Sequence, residues 1–352
     1  MENFIKYVNI QNFKSIADLK LEDCKRINLF VGYPNVGKSN VLEALGLFSV
    51  PFLKEKENLN KLVRVENKYE LLHNISNTYC NIKTNLEEIE LSTKPSLVIN
   101  RSIGNNTLFY HFSKKQELLT HTHNLLDCTP EEFNDDSSVK RYIFQVRDIN
   151  TDNYRLALPD YLLPIFYPVN ETFLLPPFGE NIIDVLSYNE NVSEVKAWIK
   201  KEFAQKGLEY LLDIVSGTIK IQRRLNDDKI KQLPYSLIAD TLQRMIFYKT
   251  AIASNKNSVL LFEEPEAHAF PPYIQTIMQD IIDAESNQVF IVTHSPLVVN
   301  AFLEYEKLRK ETSIYLFDFK NDQTTAKRLS DEEMELAYEY GDDLFFNLEN
   351  LL

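Results

Sequence analysis

The sequence predicts an α/β fold: a mixed or parallel phosphate-loop core sheet, an antiparallel β meander and a helical lobe. Three observations predict it. First, an apolar run at residues 27–31 leads into Gly32-Tyr33-Pro34-Asn35-Val36-Gly37-Lys38-Ser39-Asn40, after which Val41, Leu42, Leu45 and Phe48 fall at helical spacing. Second, apolar runs at residues 258–262 and 288–292 both end in polar residues, as buried parallel strands do where a site lies at their C-terminal ends. Third, apolar residues recur from Ile82, Leu86, Ile89 and Leu91 through Leu97 and Ile99 to Leu108, Tyr110 and Phe112. Gly104-Asn105-Asn106 supplies a hairpin turn between the last two runs.

The loop carries the chemistry. Its glycines let successive backbone N–H groups converge on phosphate oxygens, and the helix that follows adds the positive end of its dipole. Lys38 is placed to reach the β- and γ-phosphates of a nucleotide such as ATP, and the Ser39 hydroxyl to ligate Mg²⁺. Gly32, Asn35, Val36, Gly37, Lys38, Ser39 and Asn40 are therefore the candidate nucleotide-binding set, within a chain that has only eight glycines in all.

Composition sets ordinary bounds. The 352 residues leave room for one large or two moderate domains, and 44% hydrophobic with 25% charged residues is a globular balance. No apolar run reaches the length of a membrane helix and no signal-peptide pattern opens the chain, so no membrane partner is expected. Cys24, Cys80 and Cys128 are odd in number and widely spaced, which points to a reducing cytoplasm rather than a disulfide framework or zinc site. A formal net charge of −13 argues against a surface wrapped in nucleic acid, while leaving room for a local basic groove.

In chain order, residues 4–31 read as strands around a short turn at Asn12-Phe13-Lys14-Ser15-Ile16. The stretch VNIQNFKSIADLKLEDCKRINLFVGYPNVGKSNVLEAL resembles the opening of the ATPase heads of the RecF/SMC/Rad50 and OLD-like group. There an I-x-N-F-K/R-S segment precedes a G-x-N-x-x-G-K-S-N loop and then L-x-A-L. The resemblance implies an ABC-type ATPase head that binds ATP and Mg²⁺, with the phosphate-loop core drawn from residues 1–50 and 251–330. It further implies a β-rich insertion at 51–169 and a helical lobe at 170–250, all within one head spanning 1–352. Residues 52–76 are expected to be helical, with Arg64 and His73 as solvated or packing residues. His121 and His123 read as part of a polar loop, residues 131–138 as an acidic linker, and 141–146 and 161–167 as strands. Gln145 is a candidate nucleotide-sensing glutamine. Helical periodicity covers 181–186 and 193–212, and no sustained heptads or Cys-x-x-Cys hook suggest a coiled-coil arm.

The second half of the site follows at Phe262-Glu263-Glu264-Pro265-Glu266. By resemblance to the Walker B segment, Glu263 supports Mg²⁺ and Glu264 polarises the attacking water, with Glu standing where Asp is more usual. A helix opening at Pro272 separates this strand from Val292-Thr293-His294-Ser295-Pro296. His294 occupies the switch-histidine position of the resembling family, and His268 lies where family members place subunit-contacting residues. The Ser-x-Gly signature of such heads is altered: the best register, Ala239-Asp240-Thr241-Leu242-Gln243-Arg244, keeps the basic Arg244 but has Ala239 for serine and Thr241 for glycine. A register using Ser236 keeps the serine and still lacks the glycine.

At the C-terminal end, residues 313–319 and 324–329 read as a hairpin turning at Asn321-Asp322. Ser330 and Glu333 form a capping box for an acidic final helix at 331–352. The residues after His294 are too few for the Toprim nuclease domain of full OLD proteins. The resemblance is therefore closer to stand-alone ATPases of anti-phage and abortive-infection systems. It implies a homodimer or higher homo-oligomer, a separate effector such as a nuclease or toxin, and weak DNA binding by the chain alone. A RecF-like repair ATPase and a non-hydrolysing ATP-bound scaffold are the alternatives.

Overall fold

The computed structural model describes residues 4–53, 58–74, 76–94, 96–103, 106–112, 116, 118–123, 142–144, 173–213, 216, 218–226, 229–339, 344–345 and 348. The first half of the chain forms β1 (Val8–Phe13), β2 (Ile16–Leu21), β3 (Ile27–Gly32), α1 (Lys38–Gly46), β4 (Tyr79–Thr84), β5 (Glu87–Ser92), β6 (Val98–Ile103), β7 (Asn106–Phe112), β8 (Leu118–His123) and β9 (Tyr142–Phe144). Next come α2 (Ile182–Tyr188), α3 (Ser193–Ala204), β10 (Glu209–Asp213), β11 (Thr218–Asn226), β12 (Lys229–Pro234) and α4 (Asp240–Ser254). The remainder is β13 (Val259–Glu263), α5 (Pro271–Asp283), β14 (Gln288–Val292), α6 (Pro296–Leu303), α7 (Glu306–Glu311), β15 (Thr312–Lys320), β16 (Gln323–Arg328) and α8 (Asp331–Glu339). These elements fall into two compact units, residues 1–145 with 257–265 and 285–352, and residues 146–256 with 266–284.

The first unit holds two sheets. One has strand order β16-β15-β3-β14-β13-β9, with β15, β3, β14, β13 and β9 parallel and β16 antiparallel at the edge. β3, β13 and β14 are buried along their whole length, which is why they read as continuous apolar runs rather than alternations. Phe30 anchors this core, its ring centroid 5.0 Å from Phe317, 5.8 Å from Tyr315 and 5.9 Å from Phe290. Asn28 is polar in a fully buried strand and is satisfied: its Nδ2 donates to Lys25 O at 2.7 Å and Val289 O at 3.2 Å, and its Oδ1 accepts from Lys25 N.

The other sheet is the antiparallel meander, in order β2-β1-β4-β5-β6-β7-β8. Along β4 and β5 burial alternates, with Ile82, Ile89 and Leu91 on the covered face. His121 and His123 lie on β8, not in a loop, because that segment pairs with β7, His121 opposite Tyr110 and His123 opposite Leu108. Within 52–76, expected to be helical, the described residues hold single turns at Leu59–Lys61 and Lys68–Leu71. Each is opened by an asparagine, Asn58 or Asn67, whose side chain accepts from the backbone two residues on and so favours a local turn over a continuing helix.

The second unit is helical as expected, but it also contains a three-stranded antiparallel sheet, β10-β11-β12. The helical reading of 193–212 ends at Ala204 in the structure, and β10 takes up its last residues. The strand there is set by tertiary pairing: Glu209–Asp213 lies antiparallel to β11, with Glu209 opposite Gln222 and Asp213 opposite Thr218. Gln145, the 131–138 linker, the 161–167 strand, Cys128 and the Gly104-Asn105 turn lie outside the described residues. At the C-terminal end, Asn321 and Asp322 turn the β15–β16 hairpin with φ of 52° and 59°, as a two-residue type I′ turn requires. The capping box closes as expected, with Ser330 N donating to Glu333 Oε2 at 2.7 Å and Glu333 N to Ser330 Oγ at 3.1 Å.

Candidate nucleotide-binding site

Because β3, β13 and β14 are parallel neighbours, their C-terminal ends at Gly32, Glu263 and Val292 lie at one edge of the sheet. The phosphate loop, the Glu263-Glu264 pair and His294 all follow from those ends. At Gly32 a Cβ would stand 2.5 Å from Phe317 O, so the chain leaves the strand there only without a side chain. Asn35 adopts φ 63°, a conformation asparagine tolerates. Gly37 caps α1 at φ 96°, with the Ser15 hydroxyl 2.6 Å from where a Cβ would sit. Lys38 is buried, and its Nζ donates to two carbonyls of its own loop, Gly32 O at 2.8 Å and Tyr33 O at 2.6 Å.

The turn between β1 and β2 braces this loop, which gives the N-F-K-S segment a physical reason to accompany it. Asn40 Nδ2 donates to Ser15 Oγ at 2.7 Å, and Ser15 Oγ shares a 2.6 Å hydrogen bond with Thr324 Oγ1. Lys14, held at φ 49°, sends its ammonium to Glu43 of α1 and to Arg64 O at 2.8 Å. Burial pushes the Lys14 ammonium below its usual range, against the opposing pull of the Glu43 carboxylate.

Glu43 is 0% exposed and pairs with both Lys14 and the Arg64 guanidinium; Arg64 Nη2 also reaches Glu263 Oε1 at 3.4 Å. The site thus includes Arg64, Glu43 and Lys14, which the sequence reading left out of its candidate set. Lys14 and Glu43 stand inside the N-F-K-S and L-x-A-L segments, so their signal was present. Arg64 has no local pattern that could have marked it. His73, by contrast, takes the packing role expected, its Nδ1 3.0 Å from Lys14 O.

Glu263 is 2% exposed, and its Oε2 is buried without a hydrogen-bond partner among the described residues. Leaving a buried carboxylate oxygen unmade costs about 1–3 kcal/mol or more, so this atom is suited to a cation or its water. Glu264 follows at φ 44°, in the left-handed region that side chains rarely enter, and its N donates to Val292 O at 2.8 Å. The strained backbone turns the carboxylate towards the next strand's end, where Glu264 Oε1 lies 3.6 Å from Nε2 of His294, a side chain 34% exposed. Among the described residues no group of three or more His, Cys, Asp or Glu could hold a metal by themselves. Mg²⁺ characteristically takes one or two protein ligands and fills the rest with water and phosphate oxygens, so Ser39 and Glu263 are a sufficient donor set for it.

In the second unit, Ala239 caps α4 without a side-chain hydrogen bond, and Thr241 Oγ1 donates to His268 O at 2.7 Å. His268 itself is held at φ 58°. Arg244 is buried and pairs with Asp240 one turn back at 2.8 Å.

Residues 52–300 match the family model described as "AAA domain, putative AbiEii toxin, Type IV TA system". The chain belongs to this family. Its fold is that of an ABC-type head. The head is 35% identical over 95 residues to the DNA replication and repair protein RecF of Leptospira interrogans, covering 27% of this chain and 25% of that protein. It is 24% identical over 258 residues to the energy-coupling factor transporter ATP-binding protein EcfA2 of Ureaplasma parvum, covering 73% of this chain and 49% of the relative. The head therefore spans half or less of the length of either. In fold it is similar to a solved SMC head bound to the C-winged helix domain of ScpA, at a TM-score of 0.50 and 14% identity over 93% of this chain and 98% of that one. Among the described residues no helix is long and apolar enough to cross a membrane.

Proposed function

We propose that this head binds ATP at the phosphate-loop edge of its parallel sheet and hydrolyses it, acting as sensor or motor for a separate effector. The observation that carries the reading is the 3.6 Å approach of Glu264 Oε1 to His294 Nε2 at the ends of β13 and β14, next to the strand that feeds the loop. Lys38 exchanges its two loop carbonyls for phosphate oxygens and offsets their charge. Glu264 accepts a hydrogen bond from the attacking water and orients it, and His294 contacts that water or the terminal phosphate. Ser39 and Glu263 would hold Mg²⁺, which when bound would offset phosphate charge. Arg64, itself paired with Glu43, reaches Glu263 Oε1 and helps to hold that carboxylate in place.

The family description, with its putative AbiEii toxin and Type IV TA system, supports a toxin–antitoxin setting. In this reading the effector is a toxin or nuclease, and the head works with it as a homodimer or higher oligomer in the cytoplasm. One observation favours a second reading, a scaffold that holds ATP without turnover. Thr241 stands where such heads carry the glycine that approaches phosphate, and its hydroxyl is engaged with His268 O. Steady-state ATPase and ATP affinity of the parent and of Glu264→Gln separate the two. The motor reading expects the parent to turn over and the variant to lose about 10²–10⁴-fold in rate with ATP still bound. A parent that hydrolyses nothing, alone or with the products of its neighbouring genes, leaves the scaffold.

A further inference from the structure

Both glycines of the phosphate loop rest on one element, the β15–β16 hairpin. Gly32 and Phe317 of β15 are partners in the sheet, and Phe317 O stands 2.5 Å from where a Cβ on Gly32 would sit. Beneath Gly37 lies Thr324 of β16, fully buried, with its hydroxyl occupying the space of a Cβ on that glycine. Thr324 is clamped to Ser15 at two points. Its N donates to Ser15 O at 2.9 Å, and its Oγ1 shares the 2.6 Å hydrogen bond with Ser15 Oγ. Residues 309 positions apart are joined in this way. Ser15 Oγ in turn accepts from Asn40 Nδ2 at 2.7 Å, and Asn40 N donates to Gly37 O at 3.0 Å. The contacts therefore run from the hairpin through Ser15 and the first turn of α1 back to the loop.

We propose that Thr324 is a positioning residue for the phosphates of ATP, and that its clamp on Ser15 holds the phosphate loop in its binding form. The inference rests on the ATP reading of this site and adds a residue far outside the loop to it. Phosphate is bound by backbone N–H groups that must converge on one point, and a glycine backbone has more conformations to stray into than any other. A loop that is competent only part of the time binds with its affinity reduced by that fraction. One buried hydrogen bond biases such an equilibrium by about two- to tenfold. The hairpin does not need this hydroxyl for itself, since β15 and β16 form an antiparallel ladder from Tyr315–Arg328 to Lys320–Gln323. A hydroxyl that served the hairpin alone would leave the ATP affinity of the folded protein unchanged.

The test is titration calorimetry of ATP with Mg²⁺ against the full chain, with urea unfolding to show that each variant is folded. The proteins are the parent, Thr324→Val, Thr324→Ser, Ser15→Ala and the double variant Ser15→Ala with Thr324→Val. Thr324→Val should bind ATP about tenfold more weakly, the upper end of the range because its methyl also crowds Ser15 Oγ. Thr324→Ser keeps the hydroxyl and should stay within about twofold of the parent. The double variant should bind no more weakly than Ser15→Ala alone, because both changes remove the same hydrogen bond. Thr324→Ala, which adds no bulk beside Ser15, serves if Thr324→Val does not fold. A parent that binds no ATP overturns the ATP reading and this inference with it. If the parent binds ATP and folded Thr324→Val binds it equally, or if the two single effects multiply in the double variant, the inference is overturned and the ATP reading stands.

Discussion

The phosphate loop keeps its glycine at Gly37, whereas at the start of α4, the proposed signature position, Thr241 stands where the resembling heads have glycine. At Gly37 the backbone sits at φ 96° with hydroxyls closing on the space a Cβ would need, so no other residue fits. At Thr241 a side chain is accommodated and makes a hydrogen bond of its own to His268 O. The difference shows where sequence is dictated by local space. The loop is enclosed by Ser15, Thr324 and Phe317 of the same unit, whereas the head of α4 has room for a branched residue and a partner for its hydroxyl.

The largest way to break this contrast is Gly37→Val. Left-handed strain and overlap with Ser15 and Thr324 together cost roughly 2–6 kcal/mol, and calorimetry should find ATP binding lost. Retained binding would mean that the loop is less confined than its neighbours imply. Next is Glu43→Ala, which leaves the Lys14 ammonium and the Arg64 guanidinium facing an empty buried site. Urea unfolding should record a loss of about 3 kcal/mol, since removing one partner of a buried charge cluster strands the others. A loss below about 1 kcal/mol would make the cluster an ordinary surface pair. The smallest effect belongs to Thr241→Gly. Unfolding should move by about 1 kcal/mol, the worth of one neutral hydrogen bond, with ATP affinity unchanged. A turnover rate that rises in this variant would identify Thr241 as a brake on hydrolysis, and a fall in ATP affinity would deny the independence of the two regions.

The parallel sheet and its loop were legible because buried parallel strands leave unbroken apolar runs and the phosphate loop has a fixed spacing. The C-terminal hairpin was legible because Asn321-Asp322 and Ser330/Glu333 act locally. What escaped was set by tertiary contacts. Arg64 lies 199 positions from Glu263 and meets it only through the fold. The β10–β12 sheet was hidden because β10 follows α3 closely and its Glu209-Tyr210-Leu211-Leu212 fits a helix as well as a strand. The single turns around Asn58 and Asn67 occupy a charged stretch whose composition suits a helix, and their asparagines decided otherwise.

The central claim is that Lys38 holds the phosphates of ATP at this loop. Its ammonium, now donated to Gly32 O and Tyr33 O, contributes on the order of 1.5–3 kcal/mol through a charge-assisted contact. Titration calorimetry of ATP with Mg²⁺ against the parent and Lys38→Ala measures that contribution directly. The account predicts affinity weaker by about tenfold or more in the variant. Equal affinity in the two proteins would contradict it.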